Sequence, residues 1–196
     1  MSRRLYFISH PNVVVDPNVP VPRWPLSALG RTRMNAGLAL PWVPTITSIY
    51  ASTEQKAVDG AEILARHLSL GYALCEGLGE NDRSSTGFLP TPEFEKVADE
   101  FFAFPEQSVR GWERAADAQA RIVSAVTRIA ADDRSEGAIA IVSHGAVGTL
   151  LYCYLTQQAI SRRWDQPANG GGNFYPFMLH PMGAMHTWRA VDSGAA

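Results

Sequence analysis

The stretch that decides the fold of this chain is Arg4-Leu5-Tyr6-Phe7-Ile8-Ser9-His10-Pro11. Its apolar residues predict a buried strand, and a histidine follows where that strand ends. The arrangement recurs late in the chain, where the apolar run Ala138-Ile139-Ala140-Ile141-Val142 ends at Ser143-His144-Gly145 and a helical pattern begins at once. Two strands therefore each deliver a Ser-His pair at a carboxyl end.

Strands and helices alternate through the rest of the sequence, which indicates an α/β fold of three layers, with helices on both faces of a mostly parallel sheet. In such folds ligands bind outside the carboxyl ends of the strands, and a helix that opens there offers free backbone N–H groups to an anion. We therefore expect His10 and His144 to lie on adjacent parallel strands and to face one phosphate-sized site.

The remaining elements are predicted from apolar periodicity and from capping and turn residues. A proline-rich stretch, residues 11–25, should form an ordered loop or a flap beside the site. Ser27 should cap the next helix, and Ser52 with Gln55 fits a capping box. The predicted ranges are helix 26–40, strand 46–50, a helix from 52 to 71, strand 72–75, a helix from 91 that ends before 105, helix 109–132, helix 145–157, and a hairpin of 173–178 with 185–191.

Composition limits the classes of function. The chain has 196 residues, 46% of them hydrophobic, which suits one domain over residues 1–196. Its formal net charge of −2 provides no basic surface for nucleic acid. No apolar run approaches the roughly 20 residues that span a bilayer, so we expect a cytoplasmic protein with no membrane partner. Cys75 and Cys153 show neither metal-ligand spacing nor a disulfide framework.

Each of the two histidines taken alone would suit a structural role better than a catalytic one. Their occurrence at matching strand ends favours chemistry. A neutral imidazole held in one tautomer is a competent nucleophile towards phosphorus, and a second histidine, if protonated, can stabilise charge on the transferring group.

The chain resembles the histidine phosphatase superfamily, which has the phosphoglycerate mutase-like fold and whose hallmark is a strand ending in Arg-His-Gly. The similarity is carried by motifs in the expected order and spans nearly the whole chain. In sequence order they are Leu5-Tyr6-Phe7-Ile8-Ser9-His10-Pro11, Pro25-Leu26-Ser27-Ala28-Leu29-Gly30-Arg31, Ile49-Tyr50-Ala51-Ser52-Thr53-Glu54-Gln55-Lys56-Ala57 with Ala61-Glu62, Leu78-Gly79-Glu80, and Ile141-Val142-Ser143-His144-Gly145.

This resemblance implies that His10 is the phosphorylated nucleophile and His144 the second histidine of the pocket. It also implies that Glu80 donates a proton to the leaving oxygen and later acts as base on water. Phosphoryl transfer needs such a general acid when the leaving group is a poor alkoxide. Glu76 and Asp82 lie in the same polar stretch and stay open as alternatives for the acid.

Three positions depart from the family pattern. Ser9 stands where the family has arginine, Pro11 where it has glycine, and Lys56 where it has a second arginine. A bidentate donor is thereby lost, and lysine supplies only a point charge. Arg83 could restore the missing charge, although a solvent-facing loop arginine is an equal alternative.

Neutral groups could add to phosphate binding. Asn12, Ser9 and the backbone of Gly145 are candidate donors at the predicted site, and Ser52 is either another donor or only a helix cap.

We therefore predict a phosphatase that needs neither metal nor cofactor, works through a phosphohistidine at His10 and acts on a small phosphomonoester or a phosphoprotein. The alternative is a catalytically impaired relative that binds a phosphorylated ligand or partner. A mutase is less favoured, because the loop after His10 offers few extra cations for a second anionic group. Neither the substrate nor the oligomeric state follows from the sequence.

Overall fold

The computed structural model of the chain describes residues 3–193. Within them, seven strands form one sheet in the order β3-β2-β4-β1-β5-β6, and β7 pairs with β5. The strands are β1 Leu5–Ser9, β2 Ile46–Ala51, β3 Ala73–Leu74, β4 Ala138–Ser143, β5 Asn173–Leu179, β6 Met182–Ala184 and β7 Arg189–Ala190.

Five α-helices connect and cover the sheet within the same residues. They are α1 Ala28–Gly37, α2 Gln55–Leu68, α3 Thr91–Ala103, α4 Ala115–Asp132 and α5 Gly145–Leu155. Short 3-10 turns lie at Val21–Arg23, Val43–Thr45, Glu76–Leu78, Val109–Gly111 and Arg162–Trp164. None of these helices is long and apolar enough to cross a membrane.

The sheet is mixed. Strands β1 to β4 pair in parallel, whereas β5 runs antiparallel to β1 and carries the antiparallel strands β6 and β7. Alternate residues of β1 enter different cores: Leu5 and Phe7 belong to the cluster that includes α4 and α5, and Tyr6 and Ile8 to the cluster that includes α2. The predicted α/β class, with helices on both faces of a central sheet, is confirmed.

The register of β1 and β4 positions the two histidines. These strands are adjacent and parallel, with Ser9 opposite Ser143. The backbone N–H of His10 continues the ladder and donates to the carbonyl of Ser143 at 3.0 Å. His10 and His144 therefore leave neighbouring strands at the same edge of the sheet, as the sequence predicts.

Two predicted helix starts are wrong. The helix expected from residue 109 begins only at Ala115, because Arg110 and Gly111 have φ of 51° and 81°, which no α-helix accommodates. The capping box at Ser52 does not form either, since α2 begins at Gln55 and the Ser52 hydroxyl accepts from the backbone N–H of Glu54. Ser27 does cap α1, accepting from Gly30 N.

The C-terminal hairpin also differs from its prediction. Strand β5 turns directly into β6, so the pairing uses residues 182–184 and not the predicted strand 185–191. Of that predicted strand, Arg189 and Ala190 pair with the opposite end of β5, at Phe174 and Asn173, and the backbone N–H of Met185 donates to the carbonyl of Pro176 at 2.9 Å.

Candidate active site

The geometry around His10 fixes the tautomer of its ring. His10 Nδ1 lies 2.9 Å from the carbonyl oxygen of Pro11. A carbonyl can only accept, so this bond requires the proton on Nδ1 and leaves the lone pair on Nε2. Burial, together with the nearby charge of Lys56, lowers the pKa of His10 to about 4. The imidazole is therefore neutral near pH 7.

His144 lies beside His10, with 5.2 Å between the ring centroids. Its ring is fully buried, and Nε2 is 2.8 Å from Ser52 Oγ and 3.4 Å from Glu54 Oε1. The other ring nitrogen, Nδ1, has no hydrogen-bond partner among residues 3–193. Burial lowers the pKa of His144 well below its usual value, although Glu54 acts in the opposite direction.

Glu54 connects the histidine pair to a cation. One carboxylate oxygen lies 2.5 Å from Lys56 Nζ, and the other accepts from the backbone N–H of Glu80 at 2.9 Å. Burial alone would raise the pKa of Glu54, but His144 and Lys56 lower it to about 2. Glu54 is therefore ionised, and it forms an ion pair with the Lys56 ammonium.

Glu80 closes the other side of the site at the N-terminus of α5. Its carboxylate accepts from the backbone N–H groups of Ala146 and Val147 at 3.2 and 3.0 Å. These bonds and Arg83 favour the ionised form, yet burial is the larger effect and raises the pKa of Glu80. A carboxyl group with a raised pKa is suited to proton transfer near neutral pH.

A cavity of about 630 Å³ adjoins these residues. Glu54, Glu80 and Arg83 line it. Glu54 is also 3.4 Å from His144, so the cavity adjoins the histidine pair through Glu54. Arg83 lies over the ring of Phe94, 5.0 Å from its centroid, and its charge acts on both histidines.

The Ser9 hydroxyl is hydrogen-bonded to other residues of the protein. Ser9 is fully buried; its Oγ donates to Gln166 Oε1 at 2.6 Å and accepts from Asn173 N at 3.0 Å. Gln166 then extends towards Gly145, where a Cβ atom would lie 2.3 Å from Gln166 Nε2. A glutamine amide therefore stands beside the first residue of α5, next to the strand end that carries His10.

Asn12 is also held by internal contacts. Its Oδ1 accepts from Arg33 at 2.9 Å, and Arg33 in turn pairs with Asp192 at 2.8 Å. Gly170 packs so closely that a Cβ atom there would lie 2.1 Å from Asn12 Nδ2. The predicted donor role of Asn12 stays a prediction, since its side chain is committed to this structural contact.

The Histidine phosphatase superfamily (branch 1) profile matches residues 21–172. The chain belongs to this superfamily. The matched range begins after Ser9-His10-Pro11, so that segment's correspondence to the family's Arg-His-Gly stays an inference from sequence. No curated protein sequence matches the chain significantly.

Several solved structures have a fold similar to that of this chain. A mycobacterial glucosyl-3-phosphoglycerate phosphatase has a TM-score of 0.78 at 18% identity, covering 96% of this chain and 99% of that one. YhfR of Bacillus stearothermophilus has a TM-score of 0.76 at 23% identity, covering 95% of each chain. Mycobacterial hydrolase 1 has a TM-score of 0.75 at 19% identity, covering 90% and 89%. At these sequence identities, the comparison shows that the structures share a fold with this chain, and it shows nothing about a shared substrate.

The superfamily fold brings most of the predicted site residues together. His10, His144, Lys56, Glu80 and Arg83 interact directly or through their charges. The alternatives for the acid are placed less favourably for this role.

Glu76 is exposed in the 3-10 turn after β3. Asp82 is exposed as well, and its Oδ1 accepts from Ser84 N at 2.8 Å. Of the three candidate acids, Glu80 alone combines a raised pKa with contact to the turn that follows His144.

Sequence reasoning missed two residues of the site. Glu54 lies inside the segment that carries the family resemblance, and its position two residues before Lys56 was an available signal. Gln166 follows an irregular stretch with no motif, and it reaches Ser9 across 157 positions of sequence. Nothing local in the chain indicates that contact.

The buried neutral histidines predict that acid destabilises the fold. His10 has a pKa of about 4 when folded against 6.5 when free. Above pH 6.5 the ring is neutral in both the folded and the unfolded chain, so its titration does not change the free energy of unfolding. As the pH falls from 6.5 towards 4, the unfolded chain binds a proton that the folded chain does not, and the free energy of unfolding decreases. Between pH 7 and 4.5 we expect His10 to contribute a loss of about 2–3 kcal/mol in the free energy of unfolding.

Urea unfolding at the two pH values measures this loss, and His10→Gln should reduce it. His67, exposed in the last turn of α2, provides the control His67→Gln, which should leave the loss unchanged. If His10→Gln loses as much free energy of unfolding between pH 7 and 4.5 as the unaltered chain does, the loss does not come from His10.

Proposed function

We propose that this chain is a metal-independent phosphatase that transfers a phosphoryl group from a phosphomonoester to His10 and then to water. The observation that carries the proposal is the bond from His10 Nδ1 to the Pro11 carbonyl, which leaves Nε2 unprotonated beside the buried ring of His144. A fixed, neutral imidazole is the form that can attack phosphorus.

The first step forms a bond from His10 Nε2 to phosphorus while the bond from phosphorus to the leaving oxygen breaks. The electron pair stays on that oxygen, and Glu80 supplies its proton. In the second step Glu80 takes a proton from water, the water oxygen bonds to phosphorus, and the bond to Nε2 breaks. Glu80 thus ends protonated, and His10 regains its lone pair.

His144 can provide positive charge to the transferring group. With Nε2–H directed at Ser52 and the ionised Glu54, Nδ1 is the free nitrogen. A phosphoryl oxygen near Nδ1 would favour a proton there, and the Glu54 carboxylate would stabilise the resulting imidazolium, as a carboxylate does for the histidine of a catalytic triad. The buried Nδ1 would then gain a partner.

Other donors would complete the phosphate site in place of the family's first arginine. Arg83 and Lys56 provide charge, although Lys56 is shared with Glu54. Gly145 opens α5, so its backbone N–H has no acceptor within the helix. The amide of Gln166 lies beside it. This set is less cationic than two guanidinium groups, so we propose that phosphate binds more weakly than in relatives with Arg-His-Gly.

Family membership supports phosphatase chemistry. The mycobacterial glucosyl-3-phosphoglycerate phosphatase named above has also been solved with inorganic phosphate and with VO3. We propose a small phosphomonoester or a phosphoprotein as the substrate here. Hydrolysis of 4-nitrophenyl phosphate in the presence of a chelator tests the function, and absence of phosphate release at every pH from about 5 to 8 would contradict it.

A second candidate function is binding of a phosphorylated ligand with little turnover. The pairing of Lys56 with Glu54 favours it, because it reduces the free positive charge at the site. The hydrogen bond from Ser9 to Gln166 favours it too, because the Ser9 hydroxyl proton is then not available to a phosphoryl oxygen. This function would be favoured if phosphate raises the unfolding temperature of the chain while the chain hydrolyses no phosphomonoester at a measurable rate. Hydrolysis with multiple turnovers would exclude it.

Ser9→Arg tests whether the missing arginine can simply be restored. Ser9 is fully buried against Gln166 and Asn173, so the larger side chain has no space. We expect a loss of roughly 3 kcal/mol or more, which lowers the Tm of a chain of this size by about 6–12 °C, with no gain in activity.

Adding Gln166→Ala to Ser9→Arg should provide the space. The double variant is then expected to gain about 2–4 kcal/mol of transition-state stabilisation, or roughly 30- to 1000-fold in rate. Gln166→Ala alone is the control. A faster and equally stable Ser9→Arg single variant would show that the site at Ser9 is open.

A further inference from the structure

The cavity beside the histidine pair has apolar walls from two separate loops. On one side lies the proline-rich loop, through Pro17, Val19, Pro20, Val21 and Pro22; on the other side lies Phe88. At about 630 Å³ it falls in the size range of sites that hold small organic molecules. It is larger than a phosphoryl group alone needs.

The two loops are held in place by specific contacts. The ring of Trp24 lies 5.7 Å from that of Phe88, centroid to centroid. Trp24 Nε1 donates to the carbonyls of Asp16 and Val19, each at 2.9 Å, and Lys56 Nζ donates to the carbonyl of Val21 at 3.0 Å. The apolar wall is thus hydrogen-bonded to the site residue Lys56.

The charged groups of the lining are mostly acidic. Glu54, Glu80 and Asp82 face one cation, Arg83. Bonds from Ser84 lower the pKa of Asp82, so this carboxyl is ionised near pH 7. The charge of Arg83 acts on both histidines and on Glu80, and its guanidinium lies 5.0 Å from the ring centroid of Phe94. The neutral polar residues of the lining are Asn18, Asn81 and Ser84.

From the apolar loops and the carboxylate of Asp82 we infer that the leaving group of the substrate is apolar and carries no negative charge. This inference rests on the proposed phosphatase function and narrows its substrate class. A ring or hydrocarbon group against Pro20, Val21 and Phe88 would bury apolar surface. A carboxylate or second phosphate in the same place would lie near Asp82, and Arg83, the one cation of the lining, would have to serve both that anion and the phosphoryl group.

Three aryl phosphates test the two parts of the inference. The esters are phenyl phosphate, 2-naphthyl phosphate and 6-carboxy-2-naphthyl phosphate. We expect kcat/KM for the naphthyl ester to exceed that for the phenyl ester by roughly tenfold, because the second ring fills apolar space. The carboxylated ester should lose roughly tenfold or more against its parent through charge repulsion.

Variants of lining residues, each with a matched control, test whether the cavity causes the preference for the naphthyl ester and the loss for the carboxylated ester. Phe88→Ala should reduce the naphthyl preference to about threefold or less, whereas Phe104→Ala, at a phenylalanine exposed outside the lining, should not change it. Asp82→Asn should recover most of the loss for the carboxylated ester. Asp132→Asn, at an exposed position near the end of α4, is its control.

Binding of the same esters to His10→Ala by calorimetry gives a second readout that does not need turnover. The inference is overturned if the three esters are hydrolysed and bound equally well, or if the carboxylated ester is preferred; the proposed phosphatase function would survive either result. Absence of hydrolysis of all three would instead contradict the phosphatase, and the order of affinities in His10→Ala would still decide the inference about the cavity.

Discussion

His10→Ala is expected to abolish hydrolysis of phosphomonoesters, lowering kcat by roughly 10⁴-fold or more, because the covalent route loses its nucleophile. The neighbouring His144 is not expected to substitute for it, because in the proposed mechanism the free Nδ1 of His144 takes up a proton and then has no lone pair for attack. The ring of His144 is fully buried and its Nε2 is engaged with Ser52. Initial rates with 4-nitrophenyl phosphate and with an alkyl phosphate measure the effect.

Two variants control for this result. His67→Ala removes an exposed histidine from the end of α2 and should leave kcat unchanged. Phosphate should still raise the Tm of His10→Ala, since the remaining donors of the site are intact. Activity in His10→Ala within tenfold of the unaltered chain would move the chemistry to another residue.

Glu80→Gln is expected to lower kcat by about 10²- to 10⁴-fold with an alkyl phosphate, because the leaving alkoxide then departs without a proton. The loss should be clearly smaller with 4-nitrophenyl phosphate, whose leaving group needs no proton. Glutamine keeps one of the two oxygens that accept from the backbone N–H groups of Ala146 and Val147, so the helix start loses one of these two bonds, and the Tm of the variant is measured alongside its activity.

The dependence on leaving group separates an acid from a positioning residue. Glu76→Gln, at an exposed position in the turn after β3, is the control and should have no effect. An equal loss for alkyl and aryl esters in Glu80→Gln would indicate that Glu80 only holds the N-terminus of α5 in place.

The strands that carry the site could be predicted because their signals are local. The apolar runs before His10 and His144 are continuous, as expected of strands buried on both faces of a sheet. Parallel pairing then follows from the alternation of strands and helices, and it places both histidines at one edge. The position of the two histidines could therefore be predicted from two short segments of sequence.

The partners of these histidines could not be predicted because they depend on long-range contacts. Glu54 belongs to the site because it lies close to His144 and Lys56. Gln166 belongs to it because it accepts a hydrogen bond from Ser9, which is 157 positions away in the sequence. The departure at Ser9 suggests a lost arginine from sequence alone. The structure shows a buried hydroxyl that is hydrogen-bonded to Gln166 and Asn173.

Element boundaries were wrong where backbone conformation overrode the apolar pattern. Trp112 fits the apolar face of α4 by spacing, yet it precedes the helix because Arg110 and Gly111 are left-handed. At the C-terminus, an early turn at His180-Pro181 brings residues 182–184 onto β5. Neither feature affects the histidine pair.

Transfer of the phosphoryl group to His10 is the step on which the proposed mechanism depends, and it can be measured. The chain would be mixed with a turned-over phosphomonoester, quenched within milliseconds in alkaline denaturant, since N-linked phosphate on imidazole is labile in acid, and examined by mass spectrometry. The account predicts one phosphoryl group on the peptide that contains His10, and none in His10→Ala. A fully active protein that shows no label at His10 under this quench, or shows it on another residue, would contradict the account.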